Sequence, residues 1–160
     1  MRLDHIRAYL ELMRVDRPIG IWLLLWPTYW ALFLAGQGHP SIGLVVVFTL
    51  GVFLMRSAGC VINDYADRHV DGHVTRTRSR PIVSGRVSPK QALLLFALLV
   101  TLAANLLWFL NGLAIAWAFV ALMLAVSYPF FKRFTHLPQA WLGLAFSAGI
   151  PMAFAAQTGA

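Results

Sequence analysis

Five apolar runs, near residues 19–35, 42–62, 91–110, 113–131 and 139–156, leave this chain little choice of fold. A helix needs about 20 apolar residues to cross the hydrocarbon of a bilayer, and in lipid every backbone N–H and C=O must be satisfied inside the segment. The runs therefore predict an all-α, multi-span transmembrane helix bundle that forms a single membrane domain. Composition agrees, since 59% hydrophobic residues and a mean hydropathy of +0.70 are more than a soluble domain of 160 residues carries.

The polar gaps set the orientation. Every Lys and Arg except Arg56 falls before the first run, between the second and third, or between the fourth and fifth; the other two gaps carry none. By the positive-inside bias these three gaps are cytoplasmic. The same scatter argues against nucleic acid as the partner of the +7 net charge, because a nucleic-acid footprint needs one continuous basic face. The first 18 residues are too charged for a cleavable signal. Their Leu3, Ile6, Leu10 and Met13 recur at helical spacing, which suits a short amphipathic helix on the cytoplasmic membrane surface. Pro27 is expected to kink the first span and Pro151 to interrupt the fifth. Cys60 has no disulfide partner and reads as a small packing residue.

Where the second run ends, Asn63, Asp64, Asp67 and Asp71 bring together three of the chain's six acidic residues. On a helix advancing 100° per residue all four fall within an arc of about 100°. Three carboxylates on one face at a lipid edge are costly unless a cation neutralises them. Oxygen donors with no thiolate or histidine cluster favour Mg²⁺, usually shared with a substrate phosphate. His69 and His73, four apart, lack the further ligands a zinc site needs. Arg56 lies two turns below Asn63 on the same face, and an intramembrane arginine needs an anion, either a carboxylate of the chain or a substrate group. The loop at 68–90 holds Arg68, Arg76, Arg78, Arg80, Arg86 and Lys90, suited to phosphate oxygens left exposed by a metal. Tyr128 and Lys132 share a helical face if the fourth span survives Pro129.

Carboxylates, arginines and a lysine at the rim of an apolar bundle fit a substrate with a diphosphate head and a hydrocarbon tail, as in isoprenyl diphosphates. The run NDYADRHVDGHVTRTRSRPIVSG at 63–85 resembles the signature of the UbiA-type intramembrane prenyltransferases. DRPIG at 16–20, YPFFKRFTHLPQ at 128–139 and IPMAFAA at 150–156 are similar to the 4-hydroxybenzoate polyprenyltransferase branch found in bacteria. The resemblance implies a helical bundle of about nine spans in the complete fold, located in the bacterial inner membrane with its active site on the cytoplasmic side. It implies transfer of a polyprenyl group from polyprenyl diphosphate to the ring of 4-hydroxybenzoate in ubiquinone biosynthesis. By the same resemblance Asp64, Asp67 and Asp71 bind Mg²⁺ and, with Lys132, carry catalysis. Asn63, Arg68, Arg76, Arg80 and Tyr128 then bind the diphosphate substrate, and Arg56 or Arg17 is the candidate for the acceptor carboxylate.

Members of that family carry a second acidic motif on a later helix, whereas no Asp or Glu follows Asp71 here. Two metals clamping a diphosphate need ligands from another element. The expectation is therefore an N-terminal portion of the enzyme, inactive alone, with a C-terminal remainder as partner. Two readings compete: another prenyltransferase of the superfamily, of menaquinone, haem or chlorophyll type, and a small membrane transporter, which would put carboxylates near the bilayer midplane.

Overall fold

The structure, a computed structural model, describes residues 2–73, 75–131 and 137–159. Its regular elements are all helices, joined by turns and the loop up to Ser88, with no strand among the described residues. The elements are α1 (Arg2–Leu12), α2 (Ile19–Ala35), α3 (Ile42–Asp67), α4 (Pro89–Asn105), α5 (Gly112–Phe131), α6 (Pro138–Ser147) and α7 (Gly149–Thr158). Helix α3, α4 with the 3₁₀ turn Leu106–Phe109, α5, and α6 with α7 are each long and apolar enough to cross a membrane, and α2 is a shorter apolar helix. Helix α3 is the hub, packing on α2, α4, α5 and the end of α1.

Three prolines inside apolar runs have different consequences. Helices α2 and α5 continue through Pro27 and Pro129, which lipid-embedded helices tolerate when neighbours take up the freed carbonyl. The fifth run breaks at Ala148, three residues before Pro151, into α6 and α7. Pro151 has no N–H for the Ser147 carbonyl, so the ladder cannot be continuous there. Gly149 sits at the break against α2. A Cβ there would stand 3.0 Å from Thr28 Oγ1, so the missing side chain is what lets the two helices meet.

At the other end of the bundle Asn111 caps α5, accepting from Ala114 N at 2.9 Å and donating to Ala155 O at 2.6 Å. Helix α4 opens with a reciprocal cap. Ser88 Oγ accepts from Gln91 N at 3.2 Å, Gln91 Oε1 accepts from Ser88 N at 2.8 Å, and Pro89 occupies the first turn. Ser88→Ala removes one of these bonds and is expected to lower stability by about 1 kcal/mol. Chemical denaturation in mixed micelles measures this.

Helix α1 meets the protein through Ala8 and Leu12, and of the spaced apolar set Met13 packs on the same core while Ile6 and Leu10 do not. Ala8 and Leu12 are buried against Ala58 and Val61 of α3, Ile82 and Val87 of the following loop, and Ala92 of α4. Ile6 and Leu10 remain exposed, free to meet lipid. The helix ends in a Schellman turn: Val15 N donates to Leu10 O and Arg14 N to Glu11 O, with Arg14 at φ 59°. Helix α2 ends the same way around Gln37 at φ 50°. Glycine is favoured at that position, and a side chain there costs on the order of 1 kcal/mol. On α1 the turn aims the Arg14 side chain at α3. Glu11 Oε2, on the preceding turn, meets Arg86 Nη1 at 2.6 Å and so fastens α1 to the loop before α4.

Candidate functional site

A cavity of about 1070 Å³ runs through the bundle, walled by α2, α3, α4 with its 3₁₀ turn, α5, α6 and α7. Most of its wall is apolar, from Leu24 and Val52 to Phe119, Leu122 and Phe146. Its polar end is formed where α3 stops. Asn63, Asp64 and Asp67 from α3, Asp71 from the turn beyond it, and Arg76 and Arg80 from the loop all face this end, with Arg14 and Arg17 closing it from the α1–α2 link. Tyr128 of α5 lines the same cavity.

Asp71 does not continue the helix, as a uniform 100° step would require. Helix α3 ends at Asp67, Val70 N bonds back to Asp67 O, and Asp71 begins the 3₁₀ turn Asp71–His73. Tertiary bonds override propagation here: Thr77 Oγ1 donates to Asp71 O at 2.9 Å, and Arg80 Nη1 meets Asp71 Oδ2 at 2.6 Å. The same Arg80 nitrogen lies 2.9 Å from Asp64 Oδ1. Arg14 Nη2 approaches the other oxygen, Oδ2, at 3.3 Å. Asp64, with a side chain only 3% exposed, is thus held by two guanidinium groups.

Asp64, Asp67 and Asp71 were expected to form one three-carboxylate face. Among the described residues no group of three or more His, Cys, Asp or Glu side chains is close enough to hold a metal. The chain turns after Asp67, and Arg14 and Arg80 lie against Asp64 and Arg80 against Asp71. The donor chemistry nevertheless fits Mg²⁺: oxygen donors only, with Asp64 and Asp71 converging on a single cationic nitrogen.

The other sequence candidates divide. Arg76 and Arg80 reach the cavity. Arg68 does not line it; its Nη1 donates to Tyr65 O at 2.7 Å and its guanidinium lies 4.2 Å from the centre of the Tyr65 ring. Lys132 lies outside the described residues. Arg56 projects into the cavity below the acidic end, with Nη1 2.6 Å from Cys60 Sγ and Nε buried without a partner. It packs directly over Gly20 of α2, where a Cβ would come within 2.5 Å of Arg56 Nε. Arg14 escaped sequence reasoning, because no spacing links it to a residue 50 positions away. The available cue was that Asp64, at a lipid edge, required cations and that Arg14 stands just ahead of the first span.

Comparison with known proteins agrees with this architecture. The model of the UbiA prenyltransferase family matches residues 24–160. A curated 4-hydroxybenzoate octaprenyltransferase from Vibrio cholerae is 66% identical over 151 residues, which is 94% of this chain and 53% of that protein. A solved structure of a UbiA homologue from Aeropyrum pernix superposes with a TM-score of 0.77 at 27% identity, covering 88% of this chain and 50% of that one. One from Archaeoglobus fulgidus, bound to DMAPP and Mg²⁺, gives 0.82 at 20% identity over 96% and 55%. The chain spans about half the length of the curated relatives it matches. With the family model covering all but the first residues and the same helical bundle in solved homologues, the chain belongs to the UbiA prenyltransferase family.

Proposed function

We propose that the chain supplies the N-terminal half of a Mg²⁺-dependent 4-hydroxybenzoate polyprenyltransferase of ubiquinone biosynthesis, with a C-terminal remainder completing the site. The observation that carries this is the pairing of Asp64 and Asp71 with Arg80, with Arg76 lining the same end of an apolar cavity, in a chain 66% identical to a protein named for that activity. Mg²⁺, when bound, would offset the charge of the departing diphosphate. Asp64 and Asp71, with Asn63 and Asp67 beside them, would hold it. Arg76 and Arg80 bind diphosphate oxygens, and Tyr128 borders the same pocket. The apolar wall takes the prenyl chain and keeps water from the allylic carbon as its C–O bond breaks. A ring carbon beside the acceptor hydroxyl bonds to that carbon, and the ring proton leaves.

Arg56 suits the acceptor carboxylate. A guanidinium with an unpartnered Nε in an apolar wall is expensive unless an anion arrives, and this one lies about 12 Å along α3 from Asp64. Arg17 is exposed at the cavity mouth beside Asp16, a poorer place from which to hold a ring inside. The charge asymmetry supports a cytoplasmic location for the acidic end, in the bacterial inner membrane. The position of Asp64 near the end of α3, away from mid-span, disfavours the transporter reading.

The test is a chimaera in which these 160 residues replace the matching half of the Vibrio cholerae relative. It is expected to prenylate 4-hydroxybenzoate in membranes with Mg²⁺, and the 160-residue chain alone is expected not to. Turnover of a naphthoate acceptor but not 4-hydroxybenzoate would move the assignment to the menaquinone type.

A further inference from the structure

The two arginines on Asp64 and Asp71 occupy the ground that the proposed function reserves for a metal. Arg80 Nη1 stands between the carboxylates, 2.9 and 2.6 Å from their oxygens. Mg²⁺ takes oxygen ligands at about 2.0–2.1 Å, so a cation and that nitrogen cannot share the position. Arg14 holds the remaining Asp64 oxygen more loosely, at 3.3 Å, beyond the span of a well-made charge-assisted bond. Both guanidinium groups line the cavity end where the diphosphate would lie.

We propose that Arg14 and Arg80 are exchangeable counter-ions: they hold Asp64 and Asp71 before loading, then yield them to the metal and turn to the diphosphate. Arg14 is thereby a diphosphate-binding residue, and it makes the turn after α1 part of the diphosphate site. Without such an exchange, Asp64 and Asp71 would be two nearly buried anions whenever substrate is absent. With it, the net charge of the acidic end changes little between the two states, because the metal's positive charge arrives together with the diphosphate's negative charge. The backbone fits the role. Arg14 occupies the left-handed position of the Schellman turn, and from there its side chain reaches the Asp64 carboxylate. Helix α1 is held by buried Ala8 and Leu12 and by the Glu11–Arg86 pair on its outer side, so Arg14 can move without releasing the helix.

This inference rests on the Mg²⁺-diphosphate reading and makes a prediction of opposite signs. With the metal alone, Arg14 is a competitor; with metal and diphosphate together, it is a ligand of the anion. The chimaera with the remaining half of the Vibrio cholerae relative, in lipid nanodiscs, is titrated with Mn²⁺, followed by electron paramagnetic resonance, and then with inorganic pyrophosphate in the presence of Mn²⁺. Arg14→Gln is expected to tighten Mn²⁺ binding and to weaken pyrophosphate binding, each by about threefold to tenfold, and Arg14→Lys to lie near wild type in both. Arg86→Gln, which loosens α1 without touching Asp64, is expected to change neither. Arg14→Gln shifts of the same sign, no shift at all, or the same pattern from Arg86→Gln would overturn the exchange while leaving the diphosphate reading intact. A chimaera with unaltered Arg14 and Arg86 that binds neither Mn²⁺ nor pyrophosphate would overturn both.

Discussion

Asp64→Asn and Asp71→Asn, introduced singly into the chimaera, are expected to lower prenyl transfer by on the order of 10²–10³-fold or more, the scale at which removing one preorganised charge-stabilising group acts. Asparagine keeps the shape and one acceptor oxygen, so Arg80 can still be bonded, but the charge that attracts Mg²⁺ is gone. The two positions differ in what else they lose. Asp64 is nearly buried between Arg14 and Arg80, and neutralising it takes from Arg14 the carboxylate it meets and leaves Arg80 with Asp71. Asp71 meets Arg80 and is anchored through its backbone by Thr77. Asp64→Asn is therefore expected to cost stability as well as activity, and Asp71→Asn chiefly activity. Thermal unfolding beside steady-state rates separates the two. Near-normal turnover in either variant, at Mg²⁺ concentrations that do not saturate the wild type, would remove that residue from the site.

The second large effect is expected from the smallest substitution. Gly20→Ala puts a methyl group where Arg56 Nε, Nη2 and Cζ stand 2.5, 2.6 and 2.9 Å away. The obstructing atoms are the tip of a flexible side chain, so the bundle folds and the guanidinium moves instead. If Arg56 holds the acceptor carboxylate, the KM for 4-hydroxybenzoate rises by about 10–100-fold while that for the prenyl diphosphate stays put, the loss expected when one partner of a buried charged hydrogen bond is displaced. Arg56→Met should match or exceed it, and Arg56→Lys should recover part of the loss. Equal shifts in both KM values would mean that Arg56 serves the cavity as a whole instead of the acceptor.

How much of this was legible beforehand varies with how local the determinant is. The spans could be read because hydrophobic length is a property of consecutive residues, and the cap at Ser88-Pro89-Lys90-Gln91 because its bonds close within one turn. Asp64 and Asp71 follow from the chemistry a lipid edge demands, and Arg76 and Arg80 from the resemblance of the motif that holds them. The course of the chain after Asp67 was not legible: a wheel drawn from α3 carries Asp71 onward, whereas Arg80, nine residues further on, pulls it into a turn. Arg68 went the other way, since a motif position does not say whether a side chain faces the cavity or its own Tyr65.

The sequence alone determined that this is an apolar helical bundle, which end of it is charged, and which oxygen-bearing residues gather there. Those features follow from the cost of burying polar backbone and charge in lipid, and that cost is set residue by residue. Only the tertiary structure decided who neutralises whom. Arg14 reaches Asp64 because α1 docks on α3 through Ala8 and Leu12, and Arg56 enters the cavity because Gly20 on a neighbouring helix leaves room. Such pairings depend on distances between segments far apart in the chain, and no local periodicity encodes them.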